Sequence, residues 1–455
     1  MQTIDPPRRT RTRFAPPDQL IRIVAYAAVL ANMGVLAAFW LSPGLHDLVL
    51  LGAPAVMSFG RLAGLTAIAL LLTQVMLMAR IPWLERAFGQ DTLARWHRWV
   101  GFTSFHLLVA HIVTTWIGYT WDHGHSYLHE LWRIVWDLRG MLYAVAGTAL
   151  LVLVVTISLR AARRRLRYEL WHLLHLYAYV GIGLLMPHML WNGTEFLGQT
   201  WAKRYLWAVY LLTAGSVLVF RVALPLLRSW RHQLTVTEVR SEGPGVVSVR
   251  MTGRDLDRLP IRAGHFLQWR FLGGRGWTRS HPYSLSAAPK RDELRITVKD
   301  VGDGLAHLRP GARVLFEGPY GRLTGAVRRK RRVALIAAGI GITPLRALLE
   351  ELDYAPGEAV LVYRARTQAD LVLRAELAAL ARERGVHVHL LVGGRGPGGD
   401  WLPGGAGVTL SDLVPDPAEY DFFVCGPPRW TEAVLAAARR AGVPRAQLHS
   451  ERFSW

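Results

Sequence analysis

The chain has 455 residues, enough for two to four domains, and a formal net charge of +21. Its 51% hydrophobic content and 18 tryptophans suit a membrane protein with a soluble part. The basic residues cluster between apolar runs, which favours a lipid bilayer over nucleic acid as the partner. A single cysteine, Cys425, excludes a disulfide framework, a thiolate metal site and cysteine-ligated iron–sulfur clusters.

Residues 1–19 form a basic N-terminal segment with Arg8, Arg9, Arg11 and Arg13. Six apolar stretches follow, near 20–41, 59–79, 97–119, 139–159, 168–190 and 205–225, each close to the roughly 20 residues that cross a hydrocarbon core. The first is longer than the apolar core of a signal peptide and is expected as an uncleaved anchor. The second loop carries Arg80, Arg86 and Arg95, and the fourth Arg160, Arg163, Arg164, Arg165 and Arg167. By contrast, 42–58 has no Lys or Arg, and 120–138 has only Arg133. The positive-inside rule therefore predicts an integral membrane protein of six spans, over 20–230, with both termini in the cytosol.

Histidines recur inside two of these spans. His97 and His111 lie fourteen residues apart on the third, and His175 and His188 thirteen apart on the fifth. Each pair is separated by roughly 20 Å along a helix axis. Two b-type haems stacked across a bilayer need that separation, with one imidazole from each helix on each iron. Bis-histidine ligation leaves no open position and suits electron transfer. His172 competes with His175 as the inner ligand, although His175 matches the helix-three separation better. A spacing of thirteen shifts the helix face, so local unwinding is expected at Gly181 and Gly183. His106 reads as a packing or hydrogen-bonding group. Arg61 reads either as a partner for an outer-haem propionate or as an interfacial snorkelling arginine.

From 231 to 325 the pattern changes to short alternating runs such as Val246–Met251, Phe266–Phe271 and Leu294–Val298, which predict a small antiparallel β-barrel. Within it, His281-Pro282-Tyr283-Ser284-Leu285-Ser286 supplies an aromatic face, a hydroxyl and a cation, with Arg279 as a second cation. Isoalloxazine stacking, tuning at N5 and phosphate binding need those groups. Lys299-Asp300-Val301-Gly302-Asp303-Gly304 can offer backbone N–H groups to the FAD pyrophosphate.

From 326 to 455, Val333–Ala338, Ala359–Tyr363, Val386–Val392 and Asp421–Cys425 read as buried parallel strands, with helices near 344–353 and 430–441. This predicts an α/β nucleotide-binding domain. Gly339-Ile340-Gly341-Ile342-Thr343-Pro344 follows a strand and opens a helix, so the glycines let a dinucleotide approach the helix N-terminus. Cys425-Gly426-Pro427 ends a later strand at the ligand-binding edge. Arg364 and Arg366 follow the second strand, where arginine accommodates a 2′-phosphate, so NADPH is favoured over NADH.

The histidine spacings, the Arg167-Tyr168-Glu169 run and the flavin and nucleotide motifs resemble, in order, those of the ferric reductase / NADPH oxidase superfamily. Its soluble half is a ferredoxin–NADP reductase-type module. The resemblance implies that His97 and His175 hold an inner haem and His111 and His188 an outer one. It also implies that Glu317-Gly318-Pro319-Tyr320-Gly321 closes the barrel, and that Cys425 and Gly426 lie against the nicotinamide. In the C-terminal Glu451-Arg452-Phe453-Ser454-Trp455, either Phe453 or Trp455 would cover the flavin beside Ser284. NADPH oxidases carry a further histidine one turn after the outer helix-three ligand, where this chain has Thr115. The expected function is electron transfer from cytosolic NAD(P)H through FAD and two haems to an extracytoplasmic acceptor, ferric chelates before oxygen. The alternatives are superoxide production, or service to a protein or quinone partner.

Overall fold

The computed structural model describes residues 18–194, 196–197, 200–272, 279–299, 305, 308–394, 400–404 and 407–452. The chain forms two compact units, Met1–Phe220 and Arg221–Trp455.

The first unit is helical: α1 (Asp18–Leu50), α2 (Gly52–Leu77), α3 (Pro82–Phe88), α4 (Gln90–His123), α5 (Tyr127–Asp137), α6 (Met141–Ser158), α7 (Arg160–Arg163), α8 (Tyr168–Asn192) and α9 (Thr200–Val217). Among the described residues, six helices are long and apolar enough to cross a membrane. They coincide with the six apolar stretches but extend past several of them, because hydropathy marks the hydrocarbon core and not the helix end. Many of their large apolar side chains face outward, among them Leu30, Trp99, Val152, Leu211 and Leu212. Such a surface is stable only against lipid. α5 is too short to span. It exposes Leu128, Trp132 and Trp136 while burying Glu130, the pattern of a helix lying at an interface.

Small residues set the helix contacts. α2 packs along α4, and α6 along α8. A Cβ on Gly64 would stand 2.7 Å from His111 Nδ1, and one on Gly60 2.7 Å from Thr115 Oγ1. Gly60 and Gly64 are the ends of a G-x-x-x-G stripe that lets α4 approach closely. Gly147 and Gly181 do the same between α6 and α8, where each would clash with the other's carbonyl. The unwinding expected at Gly181 and Gly183 is absent, since α8 is unbroken. Pro187, immediately before His188, is instead the residue that removes a helix hydrogen bond.

After α10 (Leu224–His232) the second unit is built on β-sheets. Strands β1 (Thr235–Gly243), β2 (Val246–Thr252), β3 (Phe266–Phe271), β4 (His281–Ser284), β5 (Glu293–Lys299) and β6 (Val314–Tyr320) make two antiparallel sheets, ordered β1-β2-β5 and β4-β3-β6. Both contribute to one apolar core that includes Val249, Met251, Leu267, Trp269, Ile296 and Phe316. Single bridges, Thr235 to Arg313 and Leu285 to Ile296, join the sheet edges. Among the described residues the strands thus make two three-stranded antiparallel sheets joined at both edges by short bridges, which is less than a continuous barrel ladder. β4 is only four residues long, and Pro282 lacks the N–H that a further ladder needs.

β7 (Arg332–Ala338), α11 (Ile342–Glu351), β8 (Ala359–Ala365), α12 (Arg374–Arg384), β9 (His387–Val392), α13 (Leu410–Leu413), β10 (Tyr420–Gly426), α14 (Pro428–Arg440) and β11 (Leu448–Arg452) complete the unit. The sheet is wholly parallel, in the order β11-β10-β7-β8-β9. Chain order therefore reverses direction between β7 and β10, the switch point at which open α/β sheets bind ligands.

Candidate functional site

Two pairs of imidazoles meet between α4 and α8. The ring centroids of His97 and His175 are 6.0 Å apart at 61°, and those of His111 and His188 are 6.5 Å apart at 60°. Each ring is fixed through Nδ1. His97 donates to the Gln74 carbonyl at 3.0 Å and His111 to the Gly60 carbonyl at 2.8 Å, both on α2. His175 Nδ1 lies 3.3 Å from Ser158 Oγ, whose own proton goes to the Val154 carbonyl at 2.7 Å. Carbonyl oxygens only accept, and this hydroxyl is already spent as a donor, so these three rings carry the Nδ1–H tautomer. His188 is held differently. Asn192 Nδ2 lies 3.2 Å from its Nδ1 and donates to the Arg139 carbonyl at 2.7 Å.

Of the other intramembrane candidates, His106 bonds the Phe102 carbonyl of its own helix at 2.7 Å. Arg61 pairs with Asp47. Thr115 Oγ1 lies 3.5 Å from His111 Nδ1. The anchors Gly60, Gln74, Ser158 and Asn192 were not legible as functional residues. The G-x-x-x-G stripe beginning at Gly60 was the one available signal.

In the second unit, strand alternation puts His281 and Tyr283 on one face of β4, with rings stacked at 5.6 Å and 1°. Pro282 pairs with Gln268 across the ladder, and Arg279 precedes the strand, partly exposed. Ser284 is 4% exposed, and its hydroxyl has no hydrogen-bond partner among the described residues. Such a buried hydroxyl is costly unless something else satisfies it. Beyond it, Arg295 and Arg346 both donate to the Ser286 carbonyl, at 2.9 and 3.2 Å. Both also pair with Glu376 on α12.

A cleft of about 850 Å³ opens at the switch point, lined by Gly339, Ile340, Gly341, Arg364, Arg366, Gly426 and Pro427. A Cβ on Gly341 would run into the Cys425 carbonyl, so only glycine permits the turn after β7 to approach β10. Thr343 is buried and bonds the Ile340 carbonyl at 3.1 Å, and Pro344 is buried in the first turn of α11. Arg364 is largely buried and donates to the Gly393 carbonyl at 3.3 Å, whereas Arg366 is exposed. Lys299, read from the sequence as part of the flavin turn, lines this cleft too. Cys425 is fully buried. Burial first, and the charge of Glu451 second, push its thiol well above the ordinary range, so it is a neutral buried thiol and not a thiolate. Gly302, Gly304, Phe453 and Trp455 lie outside the described residues.

Residues 63–186 match the family described as ferric reductase like transmembrane component, and 335–435 match the oxidoreductase NAD-binding domain. The chain is 32% identical over 188 residues to ferredoxin–NADP reductase B of Sorangium cellulosum, across 38% of this chain and 77% of that protein. The chain belongs to the ferric reductase / NADPH oxidase superfamily, with a ferredoxin–NADP reductase-type module. It thus joins a membrane-spanning domain to a nucleotide-binding domain of the oxidoreductase type. It is also 29% identical over 235 residues to the ferredoxin reductase component of a 3-ketosteroid-9-alpha-monooxygenase from Rhodococcus rhodochrous, across 49% of this chain and 64% of that protein. The chain spans less than two thirds of the length of that relative and of its Mycolicibacterium smegmatis counterpart, at 64% and 63%. Among solved structures, the flavohaem-like FAD/NAD binding domain of a nitric oxide dioxygenase from Vibrio cholerae is similar at 24% identity and a TM-score of 0.41, over 49% of this chain and 99% of that one.

Proposed function

We propose that this superfamily member carries electrons from NAD(P)H, through FAD and two b-type haems, across the membrane to an acceptor on the far face, with ferric chelates preferred over oxygen. The observation that carries the reading is the pairing of histidine rings at 6.0 and 6.5 Å. Rings at these separations could each lend one imidazole nitrogen to a metal ion held between them, at metal–nitrogen distances of about 2.1 Å. The residues present therefore fit two bis-histidine haems, with His97 and His175 on one and His111 and His188 on the other. For His188, holding iron through Nε2 requires its proton to sit on Nδ1, so the amide of Asn192 would have to turn.

When bound, FAD takes two electrons from the nicotinamide and releases them singly, which matches one-electron acceptance by haem iron. The chain's own residues do the positioning. Tyr283 and His281 offer the stacked face, Arg279 a cation, and Ser284 a buried hydroxyl whose missing partner fits the flavin ring. Gly339, Gly341, Thr343 and Pro344 shape the phosphate-binding turn. Gly426 and Pro427 form the floor for the nicotinamide, with Cys425 buried behind them, and Phe453 and Trp455, outside the described residues, are the candidates for the flavin cover. Arg366, Arg364 and Lys299 make the cleft cationic, which favours NADPH. We assign 1–19 to a basic cytosolic segment, 20–230 to the membrane domain, 231–325 to the FAD domain and 326–455 to the nucleotide domain. The arginine-rich second and fourth loops support a cytosolic module.

Full-length protein in vesicles, with NADPH on the module side and an impermeant ferric chelate opposite, tests this. The chelate should be reduced faster than superoxide forms. Superoxide formation that is faster and insensitive to iron would favour an oxidase. Purified protein without haem would overturn the path.

A further inference from the structure

The turn after α4 carries a cluster that the electron path does not use. α4 ends at His123, Gly124 turns the chain, and Ser126 caps α5 by accepting from the His129 N–H. This tight reversal brings His123, His125 and Glu130 together, with one ligand atom of each within 4.8 Å of the others. Glu130 is fully buried, while both imidazoles reach solvent. A buried carboxylate needs a cation or several donors. Here His125 Nδ1 lies 2.9 Å from one carboxylate oxygen, and Arg133, three residues on, donates to both oxygens.

The arrangement is internally at odds. His123 Nδ1 stands 3.2 Å from the carboxylate and 3.0 Å from Arg133 Nη2. It can donate to the first or accept from the second, but not both. A metal ion in place of the guanidinium removes the conflict, because imidazole lone pairs and the carboxylate then all face one cation. Two imidazoles and one carboxylate are a donor set for divalent first-row transition ions.

We propose that His123, His125 and Glu130 bind a divalent transition-metal ion, and that Arg133 is the built-in cation that holds the cluster together without metal. Arg133 is partly exposed, so its side chain can swing out to solvent. The proposed function sets only the face on which the site lies, that of the acceptor; binding itself does not depend on it.

Copper(II) is the probe, since it binds such donors most tightly of the first-row divalent ions. Titrated into full-length protein without a histidine tag, it should give one tight site whose electron paramagnetic resonance spectrum carries coupling from two imidazole nitrogens. His123→Ala and His125→Ala should each weaken binding at least about tenfold, the scale on which even outer partners of metal ligands act. His387→Ala, at the exposed first residue of β9, should leave it unchanged. Arg133→Gln should tighten binding, since a competing cation is gone. Affinity unchanged from the parent protein in either histidine variant, or weaker binding in Arg133→Gln, overturns the proposal. NADPH-driven haem reduction, followed in the same samples, keeps the two readings apart. Reduction without a copper site sinks this proposal alone, and a copper site without reducible haem sinks the electron path alone.

Discussion

In the membrane half, each candidate site draws its two histidines from helices far apart in sequence, α4 and α8, and orients them through groups on α2 and α6 or within α8. In the soluble half, the nucleotide cleft is walled by short contiguous runs, Gly339–Gly341 and Gly426–Pro427, at the ends of neighbouring strands. The bundle specifies chemistry by side chains and uses backbone carbonyls as supports. The sheet specifies it by bare backbone and uses side chains such as Arg366 at the rim. Loss of its side-chain ligands should therefore empty a membrane site, while a soluble site should lose affinity by degrees.

The sharpest test of that contrast is the double variant His111→Ala/His188→Ala. Haem content should fall from two per chain to one, read by pyridine haemochromogen assay, with the His97–His175 site still occupied. Two haems in the variant would break the ligand assignment. In the cleft, Arg364→Ala/Arg366→Ala should raise the Michaelis constant for NADPH by roughly a hundredfold or more. Charge-assisted contacts are worth about 1.5–3 kcal/mol each. NADH should be almost unaffected, and an equal rise for both nucleotides would show that neither arginine reads the 2′-phosphate.

The same contrast explains what the sequence made legible. Val333–Ala338 with its following glycines was readable because strand, turn and helix N-terminus are contiguous. The histidine pairs were readable because ionisable groups inside apolar spans are rare. Their supports were not, since Gln74 and Gly60 act through backbone carbonyls that any residue possesses. β1 escaped notice because only one of its nine residues is buried, and β4 because it is four residues long with a proline inside. The thirteen-residue spacing misled: it suggested unwinding at two glycines, one of which, Gly181, sits at the close contact with Gly147.

A smaller effect is expected where the flavin motif meets the nucleotide domain. Burial raises the Glu376 carboxyl, but the Arg295 hydrogen bond and the charges of Arg295 and Arg346 outweigh it, so the carboxyl sits below its ordinary value. A depressed carboxyl stabilises the fold above its unfolded value, near 4.3, and that contribution is lost as pH falls through the lower folded value. Glu376→Gln should remove roughly 1.5–3 kcal/mol at neutral pH. It should also flatten the loss of stability on acidification, measured as the temperature of flavin release from full-length protein. Parallel pH profiles for the two proteins would show that the network does not hold the soluble unit together.

The smallest change in folding, and the finest probe of backbone-built against side-chain-built sites, is Ser284→Ala. A buried hydroxyl that bonds protein normally costs about 0.5–1.5 kcal/mol when removed. The Ser284 hydroxyl has no such partner among the described residues, although the residue is 4% exposed. Its removal from flavin-free protein should therefore leave stability within about 0.5 kcal/mol, or raise it slightly by relieving an unsatisfied donor. With FAD present the balance reverses, since the hydroxyl then loses the bond that justifies its burial. FAD affinity should fall by roughly twofold to tenfold, as expected for one neutral hydrogen bond. A destabilised apo-protein with unchanged FAD affinity would make Ser284 part of the scaffold. The flavin site would then rest on the stacked face of His281 and Tyr283 alone.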